Sequence, residues 1–120
     1  MTAIPTTHVY KTVGNCPIKA DVYRLATTPA SSAVVVFIHG GALITGSRQG
    51  IQPWQLARYL AAGYTVIAID YRLAPESKLP AIIEDLQDAL AWVRTAGPRL
   101  FSIDPARLAV VGHSAGGYLT

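Results

Sequence analysis

One segment near the end of the sequence has the pattern of a nucleophilic serine. Residues 112–116 read Gly-His-Ser-Ala-Gly, with Ser114 at the centre, and they follow the apolar run 108–111. A strand that leads directly into such a segment and then into a helix exposes the serine hydroxyl on a sharp turn. That hydroxyl becomes an effective nucleophile when a histidine accepts its proton and a carboxylate orients the histidine. The pattern therefore predicts Ser114 as a catalytic nucleophile; the alternative is a serine that caps an ordinary helix.

A second glycine-rich segment, His39-Gly40-Gly41-Ala42, follows the buried run 34–38. Acyl transfer builds negative charge on a carbonyl oxygen, and each preorganised backbone N–H that stabilises this charge lowers the barrier by roughly 3–4 kcal/mol. Glycines let the backbone approach a substrate without side chains in between. The segment is therefore a candidate oxyanion loop; the alternative is a glycine turn that only redirects the chain.

A third segment, residues 70–76, reads Asp-Tyr-Arg-Leu-Ala-Pro-Glu. The chemistry of these residues alone indicates no direct catalytic role for the segment. We interpret Asp70, Arg72 and Glu76 as a charge network. It would fix this loop beside residues 112–116, which we call the serine turn.

The elements that must position these segments alternate between strand and helix. We expect strands at 7–13, 18–25, 33–38, 64–69 and 108–111 and helices at 53–62 and 80–96. This order predicts an α/β fold whose sheet is mostly parallel, with about five strands and with helices on both faces. In such sheets the site forms outside the carboxyl ends of the strands, where all three segments begin.

Turn signals set the expected boundaries. Residues 14–17 have the composition of a turn between the first two strands, and Asp104-Pro105 marks another turn. Gly97-Pro98 is expected to end the helix that begins at Pro80. In that helix an apolar stripe is expected to face the core, with acidic residues lying largely away from it. The stripe comprises Ile82, Ile83, Leu86, Leu90 and Val93, and the acidic residues are Glu84, Asp85 and Asp88.

Composition excludes several classes of function. The sequence has 120 residues, 51% of them hydrophobic and 14% charged, which suits one domain with buried strands. The net charge of +3 is spread along the chain, so no nucleic-acid partner is expected. The single cysteine, Cys16, excludes an internal disulfide and fits a reducing compartment. With no run long enough to span a bilayer and no signal peptide, we expect a cytoplasmic protein.

Together the three segments resemble the hormone-sensitive-lipase-like branch of the α/β-hydrolases, also called the α/β-hydrolase fold-3 family. That family carries His-Gly-Gly-Gly, Asp-Tyr-Arg-Leu-Ala-Pro-Glu and Gly-Asp-Ser-Ala-Gly-Gly in this order, and the resemblance extends over residues 34–120. It implies a serine carboxylic-ester hydrolase, an esterase or lipase, that forms an acyl-enzyme on Ser114 and needs no metal or other cofactor. It also implies oxyanion-hole N–H groups from Gly41, Ala42 and Ala115, and loop support from His39 and Gly40.

The sequence departs from that family at two positions. Ala42 replaces the third glycine of the loop, and His113 replaces the aspartate before the nucleophile. Arylformamidases and prolyl-oligopeptidase-like serine peptidases have similar loops and remain alternatives. So does a non-catalytic small-molecule-binding module of the same fold, since a fold does not determine activity.

None of the three histidines is a good candidate for the catalytic base. His113 is adjacent to Ser114 across a tight turn, His39 lies in the oxyanion loop, and His8 lies in an early strand. The three are also too far apart in sequence to suggest a metal site.

The resemblance places the acid and the histidine of the triad later in the chain than Ser114. It therefore implies that residues 1–120 are the N-terminal part of a single α/β-hydrolase domain that is cut after the serine turn. Residues 1–32 would be leading strands and a link, and residues 33–120 the core with both catalytic loops. Without its base, this chain alone is expected to hydrolyse a small-molecule ester at a negligible rate.

Overall fold

The computed structural model describes residues 4–120, which form five strands, three α-helices and one 3₁₀ turn at Arg48–Gly50. Residues 1–3 belong to the N-terminal region in which we expect no signal peptide, and they lie outside the described residues. The elements in chain order are β1 (Thr6–Val13), β2 (Cys16–Tyr23), β3 (Ser32–Ile38), α1 (Pro53–Ala61), β4 (Thr65–Ile69), α2 (Leu79–Phe101), β5 (Ile103–Gly112) and α3 (Ala115–Leu119).

All five strands belong to one sheet in the order β1-β2-β4-β3-β5. β3 pairs in parallel with both β4 and β5, whereas β2 is antiparallel to both of its neighbours. Four of the five strands therefore run in the same direction and only β2 is reversed, which confirms the predicted α/β fold with a mostly parallel sheet. β3 lies between β4 and β5 and is rich in β-branched residues, as expected of a strand buried on both faces.

The two long helices cover opposite faces of the sheet. On one face, Ile82, Leu86 and Val93 of α2 belong to the larger hydrophobic cluster. On the other face, Leu56 and Leu60 of α1 belong to a second, smaller cluster. The sheet therefore lies between helices on both faces, as predicted.

The prediction that Gly97-Pro98 ends the long helix is wrong, because α2 continues to Phe101. A proline inside a helix costs about 3 kcal/mol because one hydrogen bond is lost. The additional turn buries Phe101 in the larger cluster, and burial of such a side chain contributes roughly 1.5–3 kcal/mol. Ser102, with a left-handed φ of 53°, then ends the helix.

Two predicted turns are shorter or more local than expected. The first turn comprises only Gly14 and Asn15, because Cys16 already pairs with Val13. Residues 104–107 form a bulge inside β5. It lies between the pair Ser32–Ile103 and the next pair of the register, Val34–Leu108. Asp104 Oδ1 accepts a hydrogen bond from the Ala106 N–H, 3.0 Å away, so the predicted turn chemistry is present within a strand that continues past it.

Among residues 4–120, no helix is both long enough and apolar enough to cross a membrane.

Candidate active site

The three segments meet because three strands end at the same level of the sheet. Ile38, the last residue of β3, is paired with both Ile69 of β4 and Gly112 of β5. The next residue of each strand begins the oxyanion loop, the 70–76 loop and the serine turn respectively. The prediction that these strand ends form one region of the molecule is therefore confirmed.

Ser114 occupies a strained backbone position between β5 and α3. Its φ is 55° and its ψ is −116°, which is unusual for a residue with a side chain. Conformations of this kind cost about 1–3 kcal/mol and persist only where the surroundings impose them. The Ser114 side chain is exposed and makes no capping hydrogen bond to the helix that follows, which argues against the alternative of an ordinary helix cap.

Glycines bring the oxyanion loop and the serine turn into backbone contact. A Cβ built on Gly40 would lie 2.6 Å from the His113 carbonyl oxygen and 3.1 Å from Ser114 Cβ. A Cβ on Gly116 would collide with the carbonyl oxygens of Ile38 and His39. The two segments can therefore approach this closely only because neither glycine has a side chain.

His39 is buried and bonds to the backbone of the candidate oxyanion loop. Its ring Nδ1–H donates to the Gly40 carbonyl oxygen at 2.7 Å, and its ring stacks on Tyr71 with the centroids 4.2 Å apart. The Tyr71 hydroxyl donates to the His39 carbonyl oxygen at 2.8 Å. Burial lowers the pKa of His39 and outweighs the opposing effects of the Gly40 carbonyl and of Asp70. His39 is therefore a neutral loop-bound donor at neutral pH.

The same contact determines where a neighbouring N–H points. In a trans peptide the carbonyl and the N–H point in opposite directions, so the bond from His39 to the Gly40 oxygen turns the Gly41 N–H away from the histidine. Within residues 4–120, the N–H groups of Gly41, Ala42 and Ala115 donate to no protein acceptor. These are the three donors that the family resemblance implies for an oxyanion hole.

The loop that presents these donors has an unusual backbone. Ala42 and Leu43 have φ angles of 56° and 66°, in the left-handed region that residues with a Cβ avoid. The Gly41 carbonyl oxygen accepts hydrogen bonds from the N–H groups of Ile44 and Thr45, both at 3.0 Å. Ala42 therefore keeps the glycine-like conformation that its position requires.

The predicted charge network around the 70–76 loop has different partners. Asp70 accepts two hydrogen bonds from Arg48, one from the backbone N–H at 2.7 Å and one from Nη1 at 2.6 Å. Arg72 pairs with Asp85 through its Nη2 at 2.8 Å. Glu76 is exposed and forms no ion pair with any residue in the 4–120 range, so its predicted role is wrong.

The prediction that Asp85 lies off the apolar stripe of α2 is also wrong, because its side chain is fully buried. It lies three residues after Ile82 and four before Ala89, both of which are in the core. That helical spacing in the sequence indicates that Asp85 faces the core. Arg48 was missed for a different reason, because nothing in the sequence links it to Asp70, 22 residues later.

No histidine of the described chain forms a hydrogen bond with Ser114. His39 is bound to its own loop, and His113 is exposed beside Ser114 without bonding to it. His8 lies in β1, where its ring packs edge-on against Phe101 at 4.9 Å. Within residues 4–120, no group of three or more histidine, cysteine, aspartate or glutamate side chains is arranged to hold a metal ion.

Comparison with known proteins identifies the family of this chain. Residues 20–120 match the BD-FAE family of α/β-hydrolases. This chain belongs to the BD-FAE family. The predicted resemblance to α/β-hydrolase esterases is confirmed by this match and by the esterases described next.

Three similar proteins place this BD-FAE chain in context. Esterase LipC of Mycobacterium tuberculosis is 42% identical over 83% of this chain and 25% of LipC. The solved esterase Est2 of the Planctomycetes species Thermogutta terrifontis is 29% identical, with a TM-score of 0.85 over 96% of this chain and 42% of Est2. The non-reducing polyketide synthase atr1 of Stereocaulon alpinum is 39% identical over 92% of this chain and 5% of the synthase. The chain therefore has the fold of an esterase-type hydrolase and spans less than half of each relative.

The buried state of His39 leads to a prediction about acid stability. The pKa of His39 in the folded protein lies below the ordinary value of 6.5, so the unfolded chain binds a proton more readily. The stability contributed by neutral His39 is complete above 6.5 and is lost as the pH falls through the lowered pKa. Between about pH 8 and about pH 5, the wild-type protein should therefore lose more stability than His39→Asn, whose amide can donate to Gly40 without titrating.

The measurement is urea unfolding of both full-length proteins across that pH range. His8 and His113 are present in both proteins, so their titration cancels in the difference. Parallel pH profiles would contradict a buried neutral His39.

Proposed function

We propose that the full-length protein containing this chain is a serine carboxylic-ester hydrolase in which Ser114 is the nucleophile. The observation that carries the proposal is the contact between a strained, exposed serine and a loop with unpaired N–H groups. The Gly40 backbone packs directly against the Ser114 turn, and the N–H groups that follow Gly40 have no protein acceptor within residues 4–120. Nucleophile and electrostatic stabilisation are thereby adjacent, as acyl transfer requires.

In the proposed reaction, Ser114 Oγ attacks the ester carbonyl carbon while a histidine accepts the hydroxyl proton. The carbonyl oxygen becomes an oxyanion, and the N–H groups of Gly41, Ala42 and Ala115 donate to it. When the tetrahedral intermediate collapses, the bond to the alcohol breaks and the same histidine protonates the departing oxygen. Water then attacks the acyl-enzyme by the reverse sequence, which releases the acid and restores Ser114.

We propose that the histidine and its carboxylate partner come from sequence outside residues 1–120. Within residues 4–120, none of His8, His39 and His113 forms a hydrogen bond with Ser114, and His39 is bonded to Gly40 instead. The similar esterases are also much longer, since the chain covers 25% of LipC and 42% of Est2. Hydrolysis by residues 1–120 alone should consequently be slower than that of the full-length protein by about 10⁶-fold.

The direct test is stoichiometric labelling by paraoxon, which phosphorylates Est2 in a solved structure. In the reaction with the full-length protein, a bond forms between Ser114 Oγ and phosphorus, and the bond from phosphorus to p-nitrophenolate breaks. We expect one p-nitrophenolate per active site and a diethylphosphoryl group on the peptide that contains Ser114. Labelling on a different residue would refute the assignment of Ser114, and no labelling would favour a non-catalytic binding module.

A further inference from the structure

Asp85 is a buried carboxylate that takes part in none of the proposed reaction steps. Its side chain has 0% exposure, although it is a charged residue on α2. Three groups of Arg72 donate to it: the backbone N–H at 2.8 Å, Nε at 2.9 Å and Nη2 at 2.8 Å. Lys11 of β1 donates to it through Nζ at 2.9 Å. A carboxylate is buried at this depth only where such a set of donors compensates for the loss of water.

The donors keep Asp85 in its charged form. Burial raises the pKa of Asp85, but the hydrogen bonds from Arg72 and Lys11 lower it, and the net direction is downward. An ionised carboxylate binds a guanidinium through two parallel hydrogen bonds with a fixed geometry. Arg72 is therefore anchored through both its backbone and its side chain to one rigid point on α2.

Arg72 in turn determines the position of the residues that contact the oxyanion loop. Two residues after Arg72, the Ala74 N–H donates to the Leu43 carbonyl oxygen at 2.7 Å. Leu43 and its neighbour Ala42 have φ angles of 66° and 56°, so this part of the loop is held in a conformation it would not adopt alone. The contact with Ala74 is thus an external restraint on the segment that presents the proposed donors.

We propose that Asp85 is a positioning residue for the oxyanion loop, acting through Arg72 and the Ala74 contact with Leu43. The proposal rests on the proposed esterase function, because it assigns Asp85 a part in orienting the Ala42 N–H toward the substrate oxygen. Asp85 has two partners in different parts of the fold. Arg72 bonds to both carboxylate oxygens and belongs to the loop that contacts Leu43, whereas Lys11 bonds only to Oδ1 and belongs to β1.

That difference supplies a matched pair of variants in the full-length protein. Arg72→Lys keeps the positive charge but cannot reproduce the paired hydrogen bonds of the guanidinium. Lys11→Met removes another ion pair of the same carboxylate, and Lys11 also contacts Glu84 and Asp88 but not the 70–76 loop. Both variants should lower Tm, whereas only Arg72→Lys should disturb the oxyanion loop.

We expect Arg72→Lys to lower kcat for p-nitrophenyl acetate by about 10- to 100-fold with KM changed less than about twofold, because a misplaced donor weakens transition-state binding selectively. Lys11→Met should keep kcat within about twofold of wild type at a temperature well below the Tm of either variant. Asp85→Asn should follow Arg72→Lys if it folds. Equal kcat losses in Arg72→Lys and Lys11→Met, or no loss in Arg72→Lys, would overturn the proposal.

Hydrogen exchange separates this proposal from the esterase proposal, because it requires no turnover. The N–H groups of Ile44 and Thr45 are bonded to the Gly41 carbonyl oxygen inside the loop. They should exchange faster in Arg72→Lys than in wild type, and at the wild-type rate in Lys11→Met. If wild-type protein hydrolyses esters through Ser114 but the exchange rates do not differ between the two variants, the positioning role is wrong. If wild type hydrolyses nothing, the esterase proposal is wrong and the exchange rates still test the coupling.

Discussion

Replacing Ser114 by alanine in the full-length protein should lower kcat for a p-nitrophenyl ester by about 10⁶-fold. The acyl-enzyme requires a bond from the substrate carbonyl carbon to Ser114 Oγ, and alanine has no atom that can form it. The fold should be unaffected, because the exposed hydroxyl makes no capping hydrogen bond. KM should change far less than kcat, since substrate binding does not depend on the hydroxyl. Steady-state kinetics with p-nitrophenyl acetate measure both quantities.

Ser102 offers a matched control. It is also an exposed serine with a positive φ, 53° against 55° for Ser114, but it lies at the end of α2, before the amino end of β5. Ser102→Ala should therefore leave kcat within about twofold of wild type. If Ser114→Ala and wild type hydrolyse the ester at the same rate, Ser114 is not the nucleophile. If Ser102→Ala lost as much activity as Ser114→Ala, the assay would be reporting general damage to the fold.

The parts of the fold that were predictable depend on local sequence patterns. The buried strands follow from β-branched runs such as residues 34–38, and most of the buried face of α2 follows from its apolar spacing, although Ile83 of the predicted stripe is exposed. The end of α2 could not be predicted, because Pro98 locally favours an earlier end of the helix. Phe101 is buried only in the assembled core, which the local sequence does not show. Where a tertiary contact outweighs a local preference, sequence alone favours the wrong boundary.

The same difference between local patterns and tertiary contacts applies to the candidate active site. Ser114 and Gly40 come together because each follows a strand, and the predicted sheet brings those strand ends to one edge. The ion pairs that hold the loops join residues that are distant in sequence. Arg48 and Asp70 are 22 residues apart, and no pattern in the sequence marks them as partners. Candidate site residues that directly follow a strand could therefore be predicted from the sequence. The ion pairs between distant elements, which support the loops, could not.

Because the serine turn packs closely against the end of β3, a side chain added at Gly116 should lower both stability and kcat. Gly116 and Gly117 are adjacent residues of α3 in very different surroundings. A Cβ on Gly116 would collide with the carbonyl oxygens of Ile38 and His39, which are backbone atoms at the point where the oxyanion loop begins. A Cβ on Gly117 would lie 3.7 Å from the Gly112 carbonyl oxygen, an ordinary contact distance.

Gly116→Ala should therefore force the serine turn and the oxyanion loop apart. We expect a loss of about 1–3 kcal/mol in the free energy of unfolding, as is typical of overpacking. We also expect kcat to fall by about 100-fold, because a shift of about 1 Å between nucleophile and oxyanion donors costs that much. Gly117→Ala should retain wild-type kcat and lose no stability, since alanine is favoured over glycine in a helix by about 1 kcal/mol.

Urea unfolding and ester kinetics on the two full-length variants decide between packing and helix propensity. If propensity controlled this helix, both substitutions would stabilise it. If a general intolerance to side chains near Ser114 controlled it, both would damage activity. Only a specific backbone contact between Gly116 and the end of β3 separates the two variants. Equal behaviour of the pair would mean that the spacing between the serine turn and the oxyanion loop is not set at Gly116.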